Sequence, residues 1–113
     1  MFKEWFKKQG KVDDYILAKY NEKHKTNYGH AEFLTERILA LATELGEFAN
    51  ETRCFKYWSD RRQGDFDKIC KEFADILAFV PSIAKACGID GKTAELYYLE
   101  KCDVNIERQE KGY

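Results

Sequence analysis

No stretch of this 113-residue sequence is apolar for long enough to span a bilayer, and its opening, MFKEWFKKQGKVDDY, has no apolar core followed by a small-residue cleavage site. A cytoplasmic protein with no membrane partner is therefore expected. Charge of one sign is also lacking. The chain sets 19 Lys and Arg against 20 Asp and Glu for a net charge of −1, which gives no reason to expect nucleic acid as a partner. There is no Cys-x-x-Cys. Cys54, Cys70, Cys87 and Cys102 are dispersed in unrelated settings, so free thiols, part of them buried, are expected in place of a disulfide frame or a zinc site. Low-complexity segments, long linkers and sustained apolar/polar alternation are absent, which removes strands from the expectation. Proline occurs once, as Pro81.

What is present is helical periodicity. Apolar residues recur at helical spacing over residues 2–23, 31–57, 65–87 and 92–110, and the breakers KTNYGH, SDRRQGD and CGIDG separate these blocks. The fold class expected is all-α, with four helices packed as a bundle in a single domain over residues 1–113. A chain of this length buries about two thirds of its unfolded surface. Pro81 cannot donate to the preceding turn, so it should kink or end the third helix near Val80.

Three helical faces carry polar groups beside or within apolar stripes. On the first helix Phe2, Trp5, Phe6, Val12, Ile16, Leu17 and Tyr20 form a stripe, Gln9 falls in its middle and Asp13 beside it. A buried polar group left unpaired costs about 1–3 kcal/mol. These two therefore either bond to a neighbouring helix or line a pocket for a polar ligand.

On the second helix Glu44 and Glu47 diverge by only about 60°, with Glu51 falling between them. This acidic strip borders Leu34, Ile38, Leu41, Leu45 and Phe48. Glu72 and Asp75 repeat the spacing on the third helix, beside Ile69, Phe73, Ile76 and Val80. Four converging carboxylates repel one another, so either they face solvent separately or a metal gathers them. A ligand set of oxygen alone suits Mg²⁺ or Mn²⁺ over zinc. On the fourth helix Lys101, Asn105 and Arg108 share a face apart from Leu96, Leu99, Cys102 and Ile106. That face is either simply solvated or, next to a hard cation, suited to a polyphosphate chain.

Taken together and in order, these segments resemble the all-α, dimeric dUTPases, which belong with the MazG-type nucleoside triphosphate pyrophosphohydrolases. The resemblance runs from the first helix to Tyr113. It rests on ELGE (Glu44 to Glu47) followed by EFAD (Glu72 to Asp75), on Gln9 with Asp13, on ALATELGEFANETRCFKYWS and on YLEKCDVNIERQEKGY. It implies a homodimer that hydrolyses a nucleoside triphosphate, dUTP in the first instance, between the α and β phosphates. Glu44, Glu47, Glu72 and Asp75 would hold Mg²⁺, and Glu47 would also orient or deprotonate the attacking water. Lys56, Lys101, Asn105, Arg108 and Tyr113 would hold phosphate oxygens. Trp58 would pack on base or sugar, and Gln9 with Asn50 would pair with the uracil edge.

The third helix departs from that pattern. A histidine is expected where Ala78 stands and no proline is expected where Pro81 stands. Two alternatives follow: a MazG-like enzyme acting on another base, such as dCTP or a damaged nucleotide, and a non-catalytic helical interaction module.

Overall fold

A computed structural model describes residues 1–61 and 64–112. Four helices, α1 (Phe2–His24), α2 (Leu34–Thr52), α3 (Phe66–Ala86) and α4 (Gly91–Glu110), are joined by short connections. A single 3₁₀ turn at His30–Phe33 precedes α2, and no strand occurs among the described residues. The fold is all-α, as the periodicity requires.

The helix ends are set by individual residues. After α1, Lys25 turns left-handed (φ 52°, ψ 47°). Asn21 then closes the connection. Its Oδ1 accepts from the Thr26 hydroxyl at 2.8 Å and the Tyr28 N–H at 3.0 Å, and its Nδ2 donates to the Tyr28 carbonyl at 3.0 Å. Asp65 and Asp90 cap α3 and α4 by accepting from the Asp67 and Thr93 N–H groups.

Two boundaries differ from the expectation. The second helix stops at Thr52 and does not reach Tyr57, because Arg53 adopts the left-handed conformation (φ 59°). Phe55, Lys56, Tyr57 and Trp58 therefore lie in turns. Their apolar spacing imitated a further helical turn, but a residue at positive φ cannot continue a helix. The second difference concerns Pro81, which does not end α3: the helix runs through it to Ala86. Pro81 deprives the Leu77 carbonyl of its i+4 donor, and the Trp5 indole N–H supplies a replacement at 3.1 Å.

α2 and α3 pair antiparallel, with Phe48 against Phe73 at a ring separation of 5.7 Å and Arg37 donating to the Ser82 carbonyl at 2.8 Å. α1 packs on both α3 and α4. The α1–α4 contact is close enough to require glycine: a Cβ on Gly91 would lie 2.9 Å from the Phe2 carbonyl and 2.9 Å from Lys3 Cα. Glu95 secures the same junction by accepting from the Phe2 N–H at 2.9 Å.

The arrangement is open. Its radius of gyration is 17.6 Å, against about 13 Å for a compact chain of this length. Its accessible surface is 8903 Å², where a compact monomer of this mass exposes about 6,500 Å². Roughly half of the unfolded surface is buried, short of the two thirds expected. Among the described apolar side chains only Pro81 and Ala86 are buried, and no large one is fully enclosed. Val12, Ile16 and Tyr20 of the α1 stripe, Ile38 and Leu45 of α2, and Phe73 and Val80 of α3 are exposed. The thiols also lie further out than expected, with Cys54, Cys70 and Cys87 exposed and Cys102 half-buried.

Candidate active site

The α2–α3 pairing gathers acids because each helix turns a polar strip toward the seam. Oxygen atoms of Glu44, Glu72 and Asp75 lie within 4.8 Å of one another. The Oε2 atoms of Glu44 and Glu72 are enclosed and have no hydrogen-bond partner among the described residues. Burial, reinforced by the like charges of Glu47 and Asp75, pushes both carboxyl groups above the usual carboxylate range. Glu51 adds its charge to Glu72.

Enclosed carboxylate oxygens are costly without a partner, and these converge with no proton donor between them. That donor set fits a hard divalent cation, which takes oxygen ligands and offsets the repulsion. Glu47 and Asp75 are the exposed members of the group.

A cavity of about 270 Å³ lies further along the same two helices, and none of the clustered acids lines it. Ala40 and Arg37 line it one and two turns back from Glu44 on α2, and Phe79 and Ser82 line it one and two turns on from Asp75 on α3. α1 closes the far side with Asp13 and Leu17. The volume is close to the lower end of ligand pockets, about 300 Å³.

Asp13, Ser82 and Arg37 of the cavity wall are hydrogen-bonded, while Glu36 of the lining makes no hydrogen bond or ion pair among the described residues. The Ser82 hydroxyl donates to Asp13, lying 2.7 Å from Oδ2, and the Gln9 amide donates to Asp13 Oδ1 at 3.1 Å. Arg37, besides holding the Ser82 carbonyl, approaches His30 Nδ1 at 2.8 Å, and His30 Nε2 lies 2.8 Å from Asp14. Asp14 also pairs with Lys85 at 2.9 Å, and these two partners hold its carboxyl below the usual range.

Gln9 and Asp13 thus bond across to α3, and Asp13 lines the cavity. Asn50 is exposed on α2, about 120° round the helix from Glu44. Lys56 is half-buried with its ammonium 5.7 Å from the Phe55 ring centre. Trp58 is 66% exposed and meets Tyr57 edge-on. Lys101, Asn105 and Arg108 lie exposed on α4, which docks chiefly on α1, so this chain does not pack their helix on the acidic seam. Tyr113 lies outside the described residues. Arg37 and Ser82 were not anticipated. The signal for Arg37 was a charged residue three positions from Leu34 and four from Leu41, within the apolar stripe of its helix.

A sequence model of the family described as dUTPase matches residues 1–96. The chain belongs to the all-α dUTPase family. The match takes in α1, α2, α3 and the first turn of α4, and with them every carboxylate of the seam. Lys101, Asn105, Arg108 and Tyr113 lie beyond it. Neither a curated protein nor a solved structure matches the chain. Membership of the dUTPase family makes the protein a nucleotide hydrolase, with a nucleotide as substrate. Among the described residues no helix is long and apolar enough to cross a membrane.

Proposed function

We propose that this dUTPase-family chain hydrolyses dUTP to dUMP and pyrophosphate with Mg²⁺. The observation that carries the reading is the pair of enclosed, partnerless oxygens of Glu44 and Glu72, set beside Asp75, with a cavity of about 270 Å³ about one turn further along α2 and α3. Glu44, Glu72 and Asp75 would hold the cation with Glu47. A bound Mg²⁺ supplies charge neutralisation at the phosphates and lowers the pKa of water. Glu47, solvent-facing on the edge of the cluster, orients the attacking water and takes up its proton.

The cavity receives the deoxynucleoside. Gln9, held by the cavity-lining Asp13 and Ser82, pairs with the uracil edge, whereas Asn50 and Trp58 lie past Glu44 and outside the cavity, so they would meet the uracil edge and the base or sugar only in the assembled dimer. Lys56, Lys101, Asn105, Arg108 and Tyr113 hold phosphate oxygens.

The same reading includes a homodimer. The chain exposes about 2,400 Å² more than a compact monomer of its mass, which is of the size an obligate interface buries. A second copy would cover the exposed Ile38, Leu39 and Leu45 of α2 and Leu96, Leu99 and Ile106 of α4. It would also bring an α4 to the seam that this chain's own α4 does not pack against.

A pyrophosphate-release assay with dUTP, dTTP, dCTP and dATP, run with and without Mg²⁺, tests the reading. Fixed amides match the alternating acceptor and donor edge of uracil. Thymine adds one methyl, worth about 1–3 kcal/mol in an apolar pocket, so dTTP should turn over weakly. Cytosine leaves groups unpaired, and dCTP should be the poorest of the pyrimidines. Equal turnover of dCTP would move the protein to the MazG-like alternative. That alternative has an observation in its favour, since Ala78 and Pro81, which depart from the dUTPase pattern, each directly precede a cavity-lining residue, Phe79 and Ser82.

A further inference from the structure

A second cavity, of about 600 Å³, forms where α1, the end of α3 and the start of α4 meet. Four lysines line it, Lys3 and Lys7 of α1, Lys85 of α3 and Lys92 of α4, together with the apolar Phe6 and Ile89. It is separate from the acidic seam: Lys85 lies about 20 Å along α3 from Glu72 and about 140° round the helix axis.

Lys85 is engaged, pairing with Asp14 and donating to the Gly10 carbonyl at 3.4 Å. Lys3, Lys7 and Lys92 have no ion-pair partner among the described residues. Asp90, the acid in the lining, accepts from the Thr93 N–H at 2.8 Å. Burial of charge does not explain the grouping, since Lys3, Lys7 and Lys92 are exposed and were free to point elsewhere at no packing cost.

Two features make the grouping unfavourable as it stands. Lys3 and Lys7 are like charges one turn apart on a helix. Lys92 sits in the first turn of α4, where the helix end is already positive, and the one acid beside it is the Asp90 cap, whose carboxyl the Thr93 hydrogen bonds and then Lys92 hold below the usual range. The first-turn N–H groups of Gly91 and Lys92 have no acceptor within the helix. The close Gly91 contact and the Phe2–Glu95 bond hold these groups in place on α1. An anion among them resolves the repulsion and accepts from the free donors.

We propose that this cavity binds a small phosphate-bearing anion, either a nucleoside monophosphate or free pyrophosphate, at a site distinct from the carboxylate cluster. The phosphate lies between the Lys3, Lys7 and Lys92 ammonium groups and the start of α4, and Phe6 and Ile89 offer an apolar surface to a base or sugar. Both ligands are products of the reaction proposed above, but the site does not depend on that reaction.

Isothermal titration with dUMP and with inorganic pyrophosphate, in EDTA, tests the site. Without a divalent cation the clustered carboxylates repel anions and weaken binding at the seam, so the difference between the wild-type and double-lysine chains reports the lysine cavity. The expected result is salt-sensitive binding of at least one probe, weakened about tenfold or more by Lys7→Ala/Lys92→Ala and unchanged by Glu72→Gln. Tighter binding of dUMP assigns the site to nucleotides, and tighter binding of pyrophosphate assigns it to the free polyphosphate. Absence of binding to the wild-type chain overturns the proposal, as does binding that survives the double lysine substitution. Circular dichroism of each variant confirms that the helices are retained, and dUTP turnover measured in parallel keeps this outcome separate from the catalytic reading.

Discussion

Replacing Trp5 by Phe should cost more stability while Pro81 is present than when it is not. The indole N–H donates at 3.1 Å to the Leu77 carbonyl, the acceptor that Pro81 cannot serve. Trp5→Phe leaves that carbonyl without a protein donor. An unpaired buried acceptor costs about 1–3 kcal/mol, and because Leu77 is exposed enough for water to reach it, the lower end applies, about 1 kcal/mol. Loss of the larger ring adds a packing cost that is the same in any background.

In Pro81→Ala the new N–H at position 81 bonds to Leu77 in the ordinary helical way, and Trp5→Phe then costs the packing part alone. A double-mutant cycle should therefore show a coupling of about 1 kcal/mol, equal to about 4 °C in Tm for a chain of this length. Urea unfolding at one fixed protein concentration is the assay, since association would make stability concentration-dependent. Coupling below about 0.3 kcal/mol would show that Trp5 does not replace the missing donor.

Glu47→Gln and Asp75→Asn should each abolish turnover with the helical circular dichroism intact; wild-type Mg²⁺ affinity in both variants would refute the metal site. Glu44 and Glu72 have folded pKa values raised above the unfolded 4.5, so their contribution is fully present below that pH and is lost as pH rises through the folded values. Glu72→Gln should accordingly raise the Tm of the metal-free protein at pH 7 and not at pH 4, and an equal shift at both would refute the origin given for it. Asp14 is held low by Lys85 and His30 and runs the opposite way, so Asp14→Asn should lose its destabilising effect as pH falls below the ordinary 3.8. Light scattering at micromolar concentration should give twice the chain mass, and a monomer there would count against the homodimer.

The helices were legible because period and breakers agree, and the acidic seam was legible because Glu44, Glu47, Glu72 and Asp75 repeat one spacing on two helices. The end of α2 was not, since FKYW keeps an apolar rhythm that only the backbone at Arg53 interrupts. Pro81 misled for a different reason: the donor that lets α3 continue lies 76 positions earlier in the chain, at Trp5. Arg37 and Ser82 escaped notice because their roles arise from a pairing between helices, which periodicity along one helix does not encode. Burial was overestimated because the estimate assumed one closed core, whereas α4 lies chiefly on α1 and leaves the α2–α3 pair uncovered.

The two tryptophans occupy opposite surroundings, and that difference can be read with light. Trp5 is half-buried with its indole nitrogen bonded to Leu77, while Trp58 is 66% exposed in the turn beyond α2. Emission from Trp58 should lie to the red and be readily quenched by iodide, and emission from Trp5 should lie to the blue and resist it. A Trp58→Phe chain then carries a single fluorophore for the docking of α1 on α3, and a Trp5→Phe chain carries one in the turn beyond α2, where a nucleotide contact of Trp58 can be tested. The protein therefore contains two separate optical reporters, one for the docking of α1 and one for the exposed turn beyond α2, with no label attached.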